Sequence, residues 1–296
     1  MIGTALADSL RRDGDEVLII TRRRDLADAI RWDPLKGITR RSRLEGLDGV
    51  FNLTGAPLAT RPWTRRRRQT LRASRIQATE RLLEDLGELD APPRSYVGIG
   101  LLGLFGDGGE RVMHDNGPRG SGFLSDMAAE WEYAHLRAAD FGARASVLRL
   151  SIVLSPSGGV FPLMVKPFRV MGGWIGNGQQ WTSWLSIRDC VGALSHMMRS
   201  DACEGAFNGT VPDPLRNKAW LQALGHVLNR PVRTHAPKWA LRGALGDLAD
   251  ELLIASLRAV PTKLLASGYT FVDPEPEEAF RWMVAEIDRD ERRQRG

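Results

Sequence analysis

Cysteine is nearly absent from this 296-residue chain: Cys190 and Cys203 are all there is. Two thiols make no disulfide framework, and neither has neighbours at metal-ligand spacing, so no metal site is expected. Tyrosine is almost as scarce, at positions 96, 133 and 269 only, and no lysine lies between Lys36 and Lys166. No apolar run is long enough to cross a bilayer, which excludes a membrane-spanning helix. Met1 opens a helical pattern rather than a charged-then-apolar signal segment, so a reducing cytoplasm is the expected home.

What the chain has in excess is arginine. The net charge is +5 and the isoelectric point about 9.6. A dense cluster runs through Arg61, Arg65, Arg66, Arg67, Arg68, Arg72 and Arg75. Positive charge spread through a helical stretch reads as a solvated face. No zinc-finger spacing or RNP-type aromatic motif accompanies it, so no nucleic-acid partner is expected. Apolar residues at 43% and charged residues at 26% fit a globular protein long enough for one α/β domain with an appendage, or for two domains.

The organising stretch is residues 48–55. Val50, Phe51 and Leu53 form a short apolar run, a strand buried on both faces, with Asn52, Thr54 and Gly55 gathered at its carboxyl end. In open parallel sheets ligands bind outside the carboxyl ends of the strands, so this end reads as one lip of a ligand crevice. A core strand running into a turn would read the same way.

Upstream, Ile2, Leu6 and Leu10 share one helical face, Gly14 stops the helix, and Val17 to Ile20 follow as a buried strand. Helix, strand and polar end make the second half of a βαβ unit, whose first strand would lie before Met1. In a dinucleotide-binding unit that strand feeds a glycine turn, and the pyrophosphate sits on the next helix. Gly3 fits the last glycine of such a turn. The chain therefore reads as N-terminally truncated, with cofactor binding weakened or lost. An arginine directly after the second strand suits the 2′-phosphate of NADP rather than the ribose hydroxyl of NAD. Arg22 is the first choice and Arg23 the second, although a basic surface turn has the same composition.

Downstream, Thr64 caps a helix expected to run to about residue 86, with Leu71, Ile76, Leu82 and Leu83 inward. Residues 95–99 and 145–150 are further buried strands, separated by a long helix over about 123–141. Strands alternating with helices indicate a doubly wound parallel sheet. Gly172 to Trp184 reads as a glycine- and tryptophan-rich loop, mobile enough to close over a ligand, or as tryptophans packing an interdomain seam. Ser186 to Asp189 cap a helix through about Met198, and beyond Pro231 the chain is mostly helical. The expected divisions are 1–155 for the nucleotide-binding core, 156–230 for the rest of the core with substrate-side segments, and 231–296 for a helical lobe.

Several motifs in this order resemble one family: Asn52-Leu53-Thr54-Gly55, Arg61-x-Trp63-Thr64, Ser74-Arg75, Gly103-x-x-Gly106-Asp107 and Trp131-Glu132. Pro167-Phe168-Arg169, Gln180-Trp181-x-Ser183-Trp184 and Asn208-x-x-x-Pro212-x-Pro214 continue the likeness. Together they are similar to the YfcH-type epimerase family, an atypical branch of the extended short-chain dehydrogenase/reductases. The resemblance implies a Rossmann-type core, a smaller C-terminal lobe of unknown function and NADP or NAD as cofactor. It implies no known reaction, and some relatives have been linked to cell division.

The superfamily's proton donor is a tyrosine lowered in pKa by a lysine four positions later, helped by a hydroxyl after the preceding strand. Here that strand ends at Gly100-Leu101-Leu102, and the helix positions read Phe123 or Leu124 and Met127 or Ala128. Tyr133 and Arg137 have the spacing but lie too far along the helix, and arginine holds its proton. Catalytic residues are therefore unassigned. The expected cofactor contacts are Gly3, Arg22, Arg23, Asn52, Leu53, Thr54 and Gly55, with Trp181, Ser183 and Trp184 on the substrate side. The expected partners are a nucleotide and an unknown small molecule. One reading is an NADP-dependent oxidoreductase or epimerase, the other a catalytically silent nucleotide-binding regulator.

Overall fold

The structure, a computed structural model, describes residues 1–295 except 23–25, 27, 28, 35 and 60. Helix α1 (Ile2–Arg12) buries Leu6 and Leu10 with Ile2 beside them, and Gly14 follows at φ +93°, a conformation that costs only glycine little. Strands β1 (Ile20–Thr21), β2 (Ile30–Asp33) and β3 (Gly37–Ile38) form a small sheet in that order. The predicted strand over Val17 to Ile20 is shorter than its apolar run. Its ladder partner is β2, and the parallel register begins only at Ile20 opposite Ile30.

The main sheet comes from β4 (Gly49–Asn52), β5 (Ser95–Leu101), β7 (Arg144–Leu150) and β13 (Gly205–Gly209). All its pairings are parallel, in the order β13-β7-β5-β4. Between them lie α2 (Arg65–Ala73), α3 (Ile76–Gly87), β6 (Val112–Met113) and α4 (Phe123–Leu136). Val50, Tyr96 and Ala145 point to one face and pack with Leu82, Leu83 and Leu86 of α3. Phe51, Val97, Leu148 and Phe207 point to the other, against Leu6 of α1 and Leu194 of α6 (Ile187–Arg199). Alternation of side chains across each strand thus buries both faces, as a doubly wound sheet requires.

Both expected caps form: Thr64 Oγ1 accepts the Arg67 N–H at 3.2 Å and Ser186 Oγ accepts the Asp189 N–H at 3.0 Å. Thr64→Ala is expected to cost about 1 kcal/mol, read from the denaturant midpoint at unchanged slope. The single helix predicted from Thr64 to about Leu86 is two. Ser74 Oγ accepts the Ala56 N–H at 3.0 Å while donating to Leu71 O, and the backbone turns at Arg75, φ −111°, ψ −66°.

From Ile152 onward the chain adds β8 (Ile152–Ser155), β9 (Gly158–Gly159), α5 (Phe161–Phe168), β10 (Gly172–Ile175), β11 (Trp181–Thr182) and β12 (Trp184–Ser186). Beyond β13 come β14 (Leu215–Arg216), α7 (Asn217–Val227), β15 (Val232–Ala236), α8 (Lys238–Leu245), a π-helical segment (Ala249–Ile254), β16 (Arg258–Ala259), α9 (Thr262–Ala266) and α10 (Pro276–Arg295). The predicted mobile loop over Gly172 to Trp184 is instead three short strands. Each is held by a distant partner: β10 by β15, β11 by β14 and β12 by β8. Phe280 of α10 gathers Phe161, Trp184 and Trp220 within 5.6–6.0 Å of its ring centre. No described helix is long and apolar enough to cross a membrane.

Candidate functional site

At the carboxyl end of β4, Asn52 is 1% exposed and faces inward. Its amide donates to Tyr96 Oη at 2.8 Å and to Thr79 Oγ1 at 3.1 Å. Its carbonyl accepts the Thr54 N–H at 3.1 Å and the Thr54 hydroxyl at 2.6 Å. Asn52 therefore shapes the strip Leu53-Thr54-Gly55 from behind, an Asx turn fixing the backbone that follows. Leu53 and Gly3 come together: a Cβ added to Gly3 would stand 3.6 Å from Leu53 Cδ1. The start of α1 and the strip thus meet, as a phosphate-binding helix and its neighbouring strand do.

Behind the strip lies a buried polar network. Thr79 Oγ1 also receives the Trp131 indole N–H at 3.1 Å, and Tyr96 Oη lies 2.8 Å from His135 Nδ1. Tyr96 accepts from Asn52, so its own proton points to Nδ1, which assigns the imidazole proton to Nε2. The ring fits only because position 98 is glycine, where a Cβ would stand 2.3 Å from Nδ1. Burial holds the His135 imidazole down to about 3, with the Ile99 backbone opposing. Burial also raises the Tyr96 phenol, against the Asn52 hydrogen bond. Neither group exchanges protons near neutral pH.

Arg75 is the residue that sequence reasoning missed. It is 5% exposed and donates to Ala56 O at 2.9 Å and Leu71 O at 3.3 Å. Its guanidinium lies 5.1 Å from the Trp131 ring centre. No carboxylate pairs with it among the described residues, and Nε has no partner. Desolvation, then Arg67, lowers its pKa to about 10, so it stays charged at neutral pH. A Cβ added to Gly55 would stand 3.2 Å from this guanidinium. A fixed positive charge, with no carboxylate paired to it among the described residues, thus underlies the strip, where burial leaves it little screened. The only sequence signal was a serine-arginine pair inside a helical pattern.

The other expected contacts are spread out. Arg22 is exposed in the bend directly after β1, and Arg23 lies outside the described residues. Trp181 donates from Nε1 to Glu110 at 3.1 Å, while Arg216 and Arg258 lie 4.1 and 4.3 Å from its ring centre. Arg216 also grips Glu110 with both nitrogens, at 2.7 and 2.6 Å. This pairing, and then the Trp181 hydrogen bond, hold the Glu110 carboxyl down at about 2. Ser183 is buried, accepting the Ala259 N–H at 3.2 Å and donating to Leu257 O at 2.8 Å. Trp184 is wholly buried in the cluster around Phe280.

At the carboxyl end of β5 the surroundings are apolar. Leu101, Leu124 and Met127 pack with Trp63, Leu71 and Leu248 in one cluster. Glu251 of the π-helical segment accepts the Leu124 N–H at 2.6 Å, capping the start of α4. Of the tyrosines, Tyr133 is 72% exposed and Tyr269 is bound to Asp189 Oδ1 at 2.9 Å. Among the described residues no group of three or more His, Cys, Asp or Glu could hold a metal.

The chain is similar to known proteins in sequence and in fold. Residues 1–208 match the NAD dependent epimerase/dehydratase family, and residues 236–283 match a domain of unknown function, DUF1731. The epimerase family protein ML0860 of Mycobacterium leprae is 36% identical over 92% of this chain and 88% of its own. The crystal structure of the human epimerase family protein SDR39U1 (isoform 2) with NADPH has a TM-score of 0.88 at 27% identity, covering 96% of this chain and 95% of that one. UDP-glucose 4-epimerase of Thermotoga maritima with UDP-glucose shares the fold, with a TM-score of 0.77 at 17% identity over 98% and 96% of the two chains.

Proposed function

The chain belongs to the NAD dependent epimerase/dehydratase family, and from that premise we propose that it binds NADP(H) along Leu53-Thr54-Gly55. Asn52 sets the backbone of that strip, Gly3 closes the phosphate turn, and Arg22, with Arg23 beside it in sequence, faces the 2′-phosphate. The observation that carries this reading is Arg75, a buried positive charge under the strip with no carboxylate paired to it among the described residues. NADPH in the human relative's structure supports the choice of cofactor. The core spans 1–155, the substrate-side segments 156–230 and the C-terminal lobe 231–296. Of the expected substrate-side residues, Ser183 and Trp184 are buried and only Trp181 keeps partial exposure.

We propose that any reaction runs without the superfamily's Ser-Tyr-Lys relay. Leu101 and Leu102 stand where the hydroxyl would be, and Met127 is wholly buried. An NADP-dependent oxidoreductase or epimerase using other groups is the first reading. The apolar filling around Leu101, Met127 and Leu248 favours a second, a nucleotide-binding regulator without turnover. Net loss of NADPH absorbance on adding carbonyl substrates marks an oxidoreductase, and interconversion of stereoisomers with no net change in absorbance marks an epimerase; stabilisation by NADPH with neither supports the second reading.

Cofactor choice is tested at Arg22. NADPH is expected to raise the melting temperature more than NADH, and Arg22→Ala to cut that preference roughly tenfold in affinity, one lost charge-assisted contact. Equal stabilisation by both nucleotides in the unaltered protein would sink the assignment of the 2′-phosphate.

A further inference from the structure

The arginines of α2 form a pocket that the cofactor does not account for. Arg65, Arg68 and Arg72 recur at three- and four-residue spacing and so share one helical face. With Gln69, Trp63 and Phe123 they line a cavity of about 490 Å³, in the size range of small-molecule sites. Its floor is aromatic: the Trp63 and Phe123 rings lie 5.3 Å apart, edge to face. Trp63 is fixed by its indole N–H, which donates to Leu58 O at 3.0 Å. Arg68 extends over Phe123, 5.0 Å from the ring centre, and pairs with Asp247. Arg72 pairs with Glu130. Arg65 is exposed, with no hydrogen bond or ion pair among the described residues. No carboxylate lines the cavity itself.

The pocket adjoins the cofactor strip. Trp63 and Phe123 pack in one cluster with Ala56 and Leu58, which leave the strip directly, and with Leu101 at the end of β5. We infer that this pocket holds the substrate, a small molecule carrying both a planar ring and at least two oxyanions. The ring rests on Trp63 and Phe123, and the anions meet the guanidinium forks of Arg65 and Arg72. Arginine forks match carboxylate and phosphate geometry, and an aromatic floor favours a flat, polarisable partner. One ring-sized floor, rather than a row of stacking platforms, argues for a small molecule over a single-stranded nucleic acid.

This inference deepens the cofactor reading and rests on it only for calling the ligand a substrate. The test is calorimetric titration of the full chain with uridine diphosphate and with phthalate, each with and without NADPH. The two probes separate a nucleoside phosphate from an aromatic carboxylate. At least one is expected to bind, to weaken roughly tenfold in Arg65→Ala and again in Arg72→Ala, and to bind alongside NADPH. Phe123→Leu keeps most of the apolar volume and is expected to weaken whichever probe binds while leaving the melting temperature near that of the parent. Binding of neither probe overturns the inference. So does inorganic phosphate binding as well as both, displacement by NADPH, or tighter binding of oligouridylate. If a probe binds as expected but NADPH does not, the cofactor reading falls and the pocket stands.

Discussion

Arg75→Met is expected to weaken NADPH binding about 30- to 100-fold, the loss of a buried charge opposite an anion. The length of the side chain is roughly kept, while the guanidinium's contact with the Trp131 ring is lost. The unliganded melting temperature is expected to hold or rise, because a desolvated charge without a counter-charge is costly to bury. Burial, and then Arg67, lower the Arg75 pKa in the same sense. Arg75→Lys keeps the charge and is expected to retain more affinity than methionine. A methionine variant that binds NADPH like the parent would remove the main support for the strip as an anion site.

Acid is expected to destabilise the fold through His135. Its folded imidazole titrates at about 3 against an ordinary 6.5. Above pH 6.5 the ring is neutral in both states and its contribution to stability is complete. Below 6.5 the unfolded chain takes up a proton that the folded chain refuses. Stability then falls by up to about 1.4 kcal/mol per pH unit, roughly 3 kcal/mol by pH 4, until the folded ring itself protonates near 3. Urea unfolding at a series of pH values measures this slope. His135→Leu is expected to flatten it by that amount between pH 6.5 and 4, whatever its effect at neutral pH. An unchanged slope in the variant would show that the acid sensitivity lies elsewhere.

Much of the fold was legible because its causes are local. The apolar runs of β4, β5 and β7 and the caps Thr64 and Ser186 depend on neighbours in sequence, and the structure follows them. The break at Ser74 and Arg75 was not legible, because both side chains there also bond to Ala56, far back along the chain. The strands inside Gly172 to Trp184 were hidden for the same reason. They have two to four residues each, too few for a periodic signal, and their partners lie far along the chain. Composition also cannot separate a surface tryptophan from a core one. Trp181 lies under two guanidiniums and Trp184 in the core, three residues apart. Among the candidate contacts, Gly3 and Leu53 meet as adjacency in a βαβ unit implies. Asn52 was chosen as a contact for its polarity, yet it spends all of its hydrogen bonds internally. Arg75 was lost among seven clustered arginines, since only coordinates show which one lacks solvent and a counter-charge.

The most direct measurement is a crystal structure of the protein with NADPH. The account predicts the nucleotide along Leu53-Thr54-Gly55, with its phosphates near Gly3, its 2′-phosphate against Arg22 and an anionic oxygen drawn toward Arg75. A nucleotide bound away from that strip, or a strip left empty at saturating NADPH, would contradict it.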